Sequence, residues 1–234
     1  MLLPSLREHV LQANLDLVRQ GLVLFTFGNV SGIARENGLV VIKPSGVPYD
    51  SMTTAQLVVT DLAGNIVEGE LRPSSDLPTH LALYKAFPAI GGVAHTHSEY
   101  ATAWAQARRP IPCYGTTHAD YFHGSVPVTE VMEQSQISSD YELNTGHAIV
   151  RAFQKIDYAT VPAVLVANHG PFCWGPDAEA AAHNAAVLEA VARMAYFTVR
   201  INEQAEPVER SLHDKHYLRK HGSNAYYGQA KESK

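Results

Sequence analysis

The stretch Gly91-Gly92-Val93-Ala94-His95-Thr96-His97-Ser98 places two histidines directly after a short apolar run. Such a run predicts a β-strand over 91–97. Side chains at positions i and i+2 of a strand point to the same face, so His95 and His97 would project side by side from a rigid backbone. Two neighbouring imidazoles are a ready pair of ligands for a metal ion.

Two further residues complete the predicted metal site. His169 ends a second apolar run, 161–168, which also predicts a strand, and Asp76 follows the polar turn 72–75. A lone histidine is more often structural than a ligand, but three histidines and one carboxylate in such contexts favour a metal. Three neutral nitrogens and one oxygen suit Zn²⁺ best, with Mn²⁺ as the alternative.

Composition limits the class of protein. The 234 residues, 46% of them hydrophobic, suffice for one domain with a sizeable core, and the 18% charged fraction favours burial of some surface in an oligomer. The net charge of −5 argues against nonspecific nucleic-acid binding. No apolar run approaches the ~20 residues that cross a bilayer. With no signal peptide recognised and two cysteines far apart, we expect reduced thiols and a cytoplasmic location.

Helical and strand patterns alternate irregularly along the chain. The predicted helices are 4–20, 78–87, 98–107, 140–154 and 177–200, and the predicted strands are 22–34, 39–42, 57–60, 91–97 and 161–168. Several strands are joined by short turns, as at Asn37-Gly38, which favours hairpins. We therefore expect a single α/β domain whose central, mostly antiparallel sheet is covered by helices.

Small polar turns form a second group of candidates. The turns 27–32, 43–46 and 74–75 offer backbone N–H groups, hydroxyls and the Lys43 ammonium, which together can bind an anion. None matches a nucleotide-binding fingerprint, and each alone is typical of an ordinary turn. Beside a metal, the three turns together indicate a phosphorylated small substrate.

Two polar segments have no clear role by themselves. Asp120, within 115–121, has the chemistry of a general acid or base, but its local sequence is more typical of a turn or helix-cap aspartate. The basic segment 214–221 is typical of a solvated helix, and the Tyr226-Tyr227 pair near the end of the chain is unusual but proves nothing alone.

Taken together, these segments resemble the class II aldolase/adducin family. The likeness runs through nearly the whole chain, as far as Gln229, and stretches 124–140 and 201–211 carry no diagnostic residues. The segments that carry it, in chain order, are 28–31, 43–47, 73–76, 95–98, 115–121, 169–172 and 215–222.

The resemblance implies a sheet with helices on both sides, a four-fold symmetric tetramer and a site at the boundary between subunits. It implies Zn²⁺ or another divalent cation, with ligands Asp76, His95, His97 and His169. The implied phosphate-binding residues are Asn29, Lys43, Ser45, Gly46, Ser74 and Ser75. Asp120 and Tyr227 would be the acid/base pair. The tail 207–234 would reach a neighbouring subunit's site, where Thr116, His216 and Arg219 are further candidates.

The pattern is most similar to family members that epimerise a phosphorylated ketopentose. The implied reaction inverts C4 of L-ribulose 5-phosphate to give D-xylulose 5-phosphate. Because the carbonyl is at C2, the C4 proton is not acidic, so cleavage and re-formation of the C3–C4 bond is the better chemical route. Arabinose, ascorbate and other pentose pathways use such epimerases, and the sequence does not choose among them.

Two alternatives stay open at this point. A class II aldolase acting on a related sugar phosphate, such as fuculose 1-phosphate, would share the metal and the cleavage step but release its fragments. Aldolases of the family usually carry Glu at the position of Asp76, which favours the epimerase. A non-catalytic, adducin-like module need not keep the histidines, whereas this chain has all three and Asp76.

Overall fold

The computed structural model describes residues 1–227. The helices are α1 Pro4–Arg19, α2 Leu77–Ala86, α3 Glu99–Gln106, α4 Thr116–Ala119, α5 Gln134–Ile137, α6 Tyr141–Ala152, α7 Ala178–Ile201 and α8 Arg210–His221. The strands are β1 Asn29–Ala34, β2 Leu39–Ile42, β3 Val58–Asp61, β4 Ile66–Glu68, β5 Gly92–His95, β6 Ala163–Leu165 and β7 Pro171–Gly175. Within this range, no helix is both long and apolar enough to cross a membrane.

A seven-stranded sheet forms the centre of the molecule. Its strand order is β4-β3-β2-β1-β5-β7-β6, and every neighbouring pair is antiparallel. β1 and β2 form the hairpin that Asn37-Gly38 predicts, with Gly38 at a positive φ of 64°. In the register of β1, β5 and β7, Asn29 lies opposite His95, and His95 lies opposite Phe172. Polar groups from two strands therefore meet at one end of the sheet.

Helices bury the sheet on both faces. On one face, α1, α3 and α7 cover a core that includes Ala94 and Cys173; on the other, α2 and α6 cover Val93, Phe172 and Trp174. Successive residues of β5 and β7 thus belong to opposite cores, as the two-residue period of a strand requires. The predicted sheet flanked by helices on both sides is confirmed.

Several predicted boundaries differ from the observed ones. The strand predicted over 22–34 begins only at Asn29, because Phe25 and Gly28 have positive φ values of 53° and 75°, which break an extended backbone. β5 ends at His95, so His97 lies beyond the strand. The predicted strand is therefore too long at His97, but the two imidazoles lie side by side as predicted, with ring centroids 4.9 Å apart. β7 has no counterpart among the predicted strands, since five residues opening on proline carry little periodicity.

The tail forms a helix that packs against the body of the molecule. α8 contacts the short helix α4, and its apolar content is low, as the predicted solvated basic helix requires. The residues after Tyr227, including Gln229 at the end of the family likeness, lie outside the described range.

Candidate active site

Three histidines converge at one end of the sheet. His95 ends β5, His97 follows two residues later, and His169 lies in the turn between β6 and β7. One ring nitrogen from each lies within 4.8 Å of the other two, and the two Nε2 atoms of His95 and His97 are 3.1 Å apart. The pairing of β5 with β7 brings His169 to the other two across more than 70 residues of sequence.

The orientation of His95 is set by its neighbours. Nδ1 lies 2.9 Å from the carbonyl oxygen of Pro171, and because a carbonyl can only accept, Nδ1 carries the proton. The ring also stacks on Phe172, with centroids 4.1 Å apart. The Nε2 lone pair is therefore free to point at His97 and His169, as in a metal-binding histidine held by an outer hydrogen bond.

Two glycines allow the backbone segments of the site to approach closely. A Cβ at Gly28 would lie 2.8 Å from the carbonyl oxygen of His95, and a Cβ at Gly170 would lie 2.8 Å from that of Thr96. Asn168, at a positive φ of 64°, makes the tight turn that precedes His169. The histidine cluster thus depends on backbone contacts that larger residues would block.

The electrostatics of the cluster favour neutral imidazoles at His97 and His169. Burial, with help from the two neighbouring histidines, lowers the pKa of His169 to about 4. Burial also lowers the pKa of His97. Burial would raise the pKa of the Asp76 carboxyl, but the nearby histidines and a hydrogen bond from Asn29 outweigh it, so that pKa lies below its usual range. Neutral nitrogens beside a carboxylate are the state in which a metal ion is bound.

Asp76 also fixes the amide of Asn29. The Asn29 Nδ2 donates to Asp76 Oδ2 at 2.7 Å and to Ser74 Oγ at 3.0 Å. Because a carboxylate only accepts, the amide cannot be turned around. Asn29 Oδ1 is then buried and finds no hydrogen-bond partner among residues 1–227. A buried acceptor without a partner is costly, so this oxygen marks a place for a donor on a ligand.

An open cavity of about 450 Å³ joins the histidines to the predicted anion-binding turns. All ten residues predicted for metal or phosphate line it: Asn29, Lys43, Ser45, Gly46, Ser74, Ser75, Asp76, His95, His97 and His169. The Ser45 N–H donates to Arg72 O and the Ser74 N–H to Lys43 O, each at 2.9 Å. These two N–H groups are engaged by the backbone on the other side and are not available to a ligand.

The residues predicted on the acid/base side form a separate cluster. Asp120 receives hydrogen bonds from Arg219 at 2.6 and 2.9 Å, and its Oδ1 lies 3.1 Å from His216 Nδ1. Burial would raise the pKa of Asp120, but the bonds from Arg219 and His216 outweigh it and hold that pKa below the usual range. The Thr116 carbonyl accepts from the Asp120 N–H at 2.9 Å.

Tyr227 joins this cluster from the tail. Its N–H donates to Arg219 O at 3.1 Å, and the Arg219 guanidinium lies 5.0 Å from the centre of its ring. The side chain is 60% exposed. The histidine cavity of the same chain is lined by none of the five residues of this cluster, which are Thr116, Asp120, His216, Arg219 and Tyr227. Asp120 is therefore physically tied to the tail of its own chain rather than to the histidines.

Sequence reasoning missed three residues that line the cavity: Thr26, Tyr141 and Glu142. Tyr141 Oη lies 3.4 Å from His169 Nδ1, and Glu142 follows Tyr141 in α6. Phe27 belongs to the candidate turn 27–32, and its ring lies 6.2 Å from that of His97. Tyr141 and Glu142 belong to a predicted helix and Thr26 to a predicted strand, and nothing in those local patterns indicates a site.

The sequence matches a family model, "Class II Aldolase and Adducin N-terminal domain", over residues 8–196. The chain belongs to the class II aldolase and adducin family. The predicted family membership is thereby confirmed.

Relatives within the family cover almost the whole chain. Two proteins named L-ribulose-5-phosphate 4-epimerase UlaF, from Salmonella paratyphi B (strain ATCC BAA-1250 / SPB7) and Salmonella typhi, are each 54% identical over 225 residues, which is 96% of this chain and 99% of theirs. A solved structure of L-fuculose 1-phosphate aldolase shares the fold with a TM-score of 0.77 at 26% identity, covering 91% of this chain and 94% of the aldolase. This family member is therefore related over nearly its full length to enzymes of sugar-phosphate chemistry.

Proposed function

We propose that this protein is a metal-dependent epimerase that interconverts L-ribulose 5-phosphate and D-xylulose 5-phosphate. The observation that carries the proposal is one cavity in which three clustered histidines face a buried ammonium and several hydroxyls. Such a cavity suits a substrate with oxygens at one end and a phosphate at the other. The 54% identity to proteins named L-ribulose-5-phosphate 4-epimerase supports this choice of substrate.

We infer that His95, His97, His169 and Asp76 would hold a divalent cation, with Zn²⁺ the best match. The chemistry of the donor set supports this fit, because two Nε2 atoms 3.1 Å apart need a proton or a cation between them. When bound, the cation would supply Lewis-acid stabilisation of negative charge on substrate oxygens.

The phosphate would be held by Lys43 and the hydroxyls of Ser45, Ser74 and Ser75, with Gly46 providing close backbone approach. Lys43 is buried, and it gains a partner for its charge when an anion arrives. The free oxygen of Asn29 would accept a hydrogen bond from a sugar hydroxyl rather than contact the phosphate directly, because an acceptor repels phosphate oxygens.

In the proposed reaction, a base removes the proton of the C4 hydroxyl. The C3–C4 bond breaks, its electron pair moves to C3 and the C2 carbonyl as an enediolate, and glycolaldehyde phosphate forms. The residues that bind the phosphate hold glycolaldehyde phosphate in the cavity while its aldehyde group rotates. The bond re-forms on the other face, and the new C4 alkoxide takes a proton. Asp120 and Tyr227 are the proposed acid/base groups for the two orientations of the hydroxyl.

A neighbouring subunit would supply these groups. In one protomer, Asp120 and Tyr227 are tied to α8 and do not line the cavity. We propose a homotetramer in which Asp120, Thr116, His216, Arg219 and Tyr227 of one chain complete the cavity of the next. The two cysteines, Cys113 and Cys173, are buried free thiols, which supports the proposed cytoplasmic location.

A coupled assay tests the function. Purified protein is supplied with L-ribulose 5-phosphate, and D-xylulose 5-phosphate is measured before chelation, after chelation and after addition of Zn²⁺ or Mn²⁺. We expect product formation that chelation abolishes and metal restores. A metal-loaded protein that forms no D-xylulose 5-phosphate contradicts the proposal.

A class II sugar-phosphate aldolase is the second candidate. It is supported by the fold that this chain shares with L-fuculose 1-phosphate aldolase, at a TM-score of 0.77 and 26% identity. An aldolase releases its fragments, so reduction of free glycolaldehyde phosphate or a related aldehyde by a coupling dehydrogenase would identify it. Absence of any bound metal after loading would instead favour an adducin-like module without catalysis.

A further inference from the structure

Tyr49 lies directly behind the phosphate side of the cavity, although no sequence pattern points to it. It begins a short 3₁₀ turn, Tyr49–Ser51, and only 5% of it is exposed. Its hydroxyl lies 2.8 Å from the carbonyl oxygen of Gly28 and 2.9 Å from that of Phe27. Its ring centre lies 4.7 Å from the Lys43 Nζ. One side chain thus touches two of the segments that line the cavity.

The buried charge of Lys43 has few groups around it that could stabilise it. It is 1% exposed, and its Nζ donates to the Pro44 carbonyl at 3.3 Å. Among residues 1–227, no carboxylate oxygen lies within 4.0 Å of that Nζ. A buried ammonium without an acidic partner is costly, and burial lowers the pKa of Lys43 to about 8. The face of an aromatic ring, with its negative quadrupole, offsets part of that cost.

We propose that Tyr49 is a positioning residue of the phosphate pocket. Its ring face holds the Lys43 ammonium toward the cavity, and its hydroxyl fixes the Phe27–Gly28 backbone from which Asn29 enters β1. Tyr49 does not line the cavity and acts through these neighbours. This inference rests on the proposed function in one respect: the anion that Lys43 attracts is taken to be the phosphate of the substrate.

The two parts of this role can be separated by substitution. Tyr49→Phe removes the hydroxyl and keeps the ring, whereas Tyr49→Leu removes the ring face as well. Replacing residue 49 by phenylalanine with one, two or three fluorines keeps the shape and progressively weakens the quadrupole. A cation–π contact therefore predicts graded losses along the fluorinated series, which loss of packing does not.

The experiment measures binding of inorganic phosphate to the purified protein by calorimetry at pH 7, together with KM and kcat for the sugar phosphate. We expect Tyr49→Phe to bind phosphate within about 2-fold of wild type and Tyr49→Leu to bind it about 5-fold more weakly. KM should follow phosphate affinity, while kcat changes less. The fluorinated series should weaken phosphate binding stepwise from Tyr49→Phe and remain informative if Tyr49→Leu fails to fold.

Tyr84→Leu is the matched control. Tyr84 is also a buried tyrosine, but its hydroxyl bonds to Ser31 and it belongs to the core between the sheet and α2. We expect that variant to lose thermal stability with phosphate affinity unchanged. Equal phosphate affinity across the fluorinated series and in Tyr49→Leu would overturn the role of Tyr49.

A separate variant tests the phosphate pocket of the proposed function. If wild type and Lys43→Met bind phosphate equally, the assignment of this pocket to the phosphate is wrong. If Lys43→Met loses phosphate and the residue-49 variants do not, the pocket stands and only the inference on Tyr49 is overturned.

Discussion

Lys43 shows how a residue's surroundings decide its chemistry. A lysine is rarely buried, and this one lies within a cavity wall where burial lowers its pKa from 10.5 to about 8. Its charge is therefore sensitive to pH in a range where an ordinary lysine would not titrate. The residue type alone predicts a lysine that is charged at any pH near neutrality. Only the packing around Lys43 predicts that its charge changes near pH 8.

Phosphate affinity should therefore fall as pH rises through about 8, because only the protonated Lys43 attracts the anion. Calorimetric titrations with inorganic phosphate between about pH 7 and 9.5 measure this. In Lys43→Met, the affinity should be weak and flat across the range. The free energy of unfolding contributed by Lys43 should rise between about pH 8 and 10.5, since the unfolded chain then binds more protons than the native one. A wild-type affinity that stays constant across the titrated range would contradict the assignment.

Gly28 offers a test of the histidine cluster at the same scale. Gly28→Ala would place a Cβ 2.8 Å from the carbonyl oxygen of His95, at a positive φ of 75°. We expect roughly a 10-fold or greater loss of Zn²⁺ affinity, measured by competition with a chelating dye, and a loss of stability of about 1–3 kcal/mol.

Gly38→Ala is the control for backbone strain alone. Gly38 also has a positive φ, 64°, but a Cβ added to it in the hairpin turn would meet nothing within 4 Å. That variant should lose about 1 kcal/mol of stability and keep its Zn²⁺ affinity. Equal Zn²⁺ affinity in both variants would mean that close approach at Gly28 does not shape the site.

At the scale of elements, α3 begins in a way that local sequence does not reveal. Ser98 occupies the predicted N-cap position but makes no side-chain capping bond. The Glu189 carboxylate, from α7, instead accepts the N–H groups of Tyr100 and Ala101 at 2.8 and 2.9 Å. A carboxylate at a helix N-terminus satisfies free N–H groups and interacts well with the helix dipole. The start of α3, just after His97, is therefore held by another helix.

Glu189→Ala should loosen the segment that carries His97. We expect a loss of about 1–2 kcal/mol in the free energy of unfolding and weaker Zn²⁺ binding. Glu179→Ala, an exposed position in the first turn of the same helix, should change neither quantity appreciably. Denaturant unfolding and metal titration measure both effects, and unchanged Zn²⁺ affinity in Glu189→Ala would show that the cap acts on α3 alone.

The contact between α8 and Asp120 should depend on pH. The folded-state pKa of Asp120 lies below its ordinary value of 3.8, so its stabilising contribution is present above that value and is lost as pH falls through the folded pKa. Asp120→Asn should therefore lower the thermal midpoint at pH 7, and the difference from wild type should shrink steadily once the pH falls below 3.8.

Asp16→Asn is the comparison for this test. Asp16 pairs with Arg19 on the surface of α1, and such exposed pairs contribute little. A midpoint difference for Asp120→Asn that persists unchanged at low pH would mean that the ionised carboxylate is not what holds α8.

At the scale of the whole molecule, the two halves of the proposed site lie in different places on one chain. The cavity gathers groups from β1, β5 and the β6–β7 turn, while the Asp120 cluster joins α4 to α8. A closed ring of identical subunits can bring such surfaces together through a heterologous contact, in which each chain uses one surface for each neighbour.

Mixed oligomers test this arrangement. His97→Asn removes a proposed metal ligand and Asp120→Asn removes the proposed acid/base group, so each variant alone should be inactive. When the two are co-expressed, about a quarter of the sites should contain an intact cavity from one chain and an intact Asp120 from its neighbour. Activity near that fraction of wild type supports shared sites. No activity in mixed oligomers, verified as mixed by mass spectrometry, would place the whole site within one chain.

Local sequence determined the strands, the helices and most of the candidate site residues of this protein. The apolar runs before His95 and His169 predict strands, and the hairpin at Asn37-Gly38 predicts antiparallel pairing; both depend on contacts between near neighbours. Residue type and order also give the metal candidates and the three anion-binding turns, and the family resemblance implies the individual phosphate residues. The structure places all ten residues around one cavity.

Only the tertiary structure decided which groups meet. His97 lies outside the strand, and β5–β7 pairing and backbone contacts at Gly28 and Gly170 make the histidine cluster. Asp120 has the local sequence of a turn residue, yet a hydrogen bond from Arg219, 99 residues away, helps to hold its pKa below the usual range. No sequence pattern predicts that the Tyr49 ring lies against the Lys43 ammonium. Periodicity reports which face of an element is apolar, whereas distances between remote side chains depend on packing of the whole chain, which no local pattern contains.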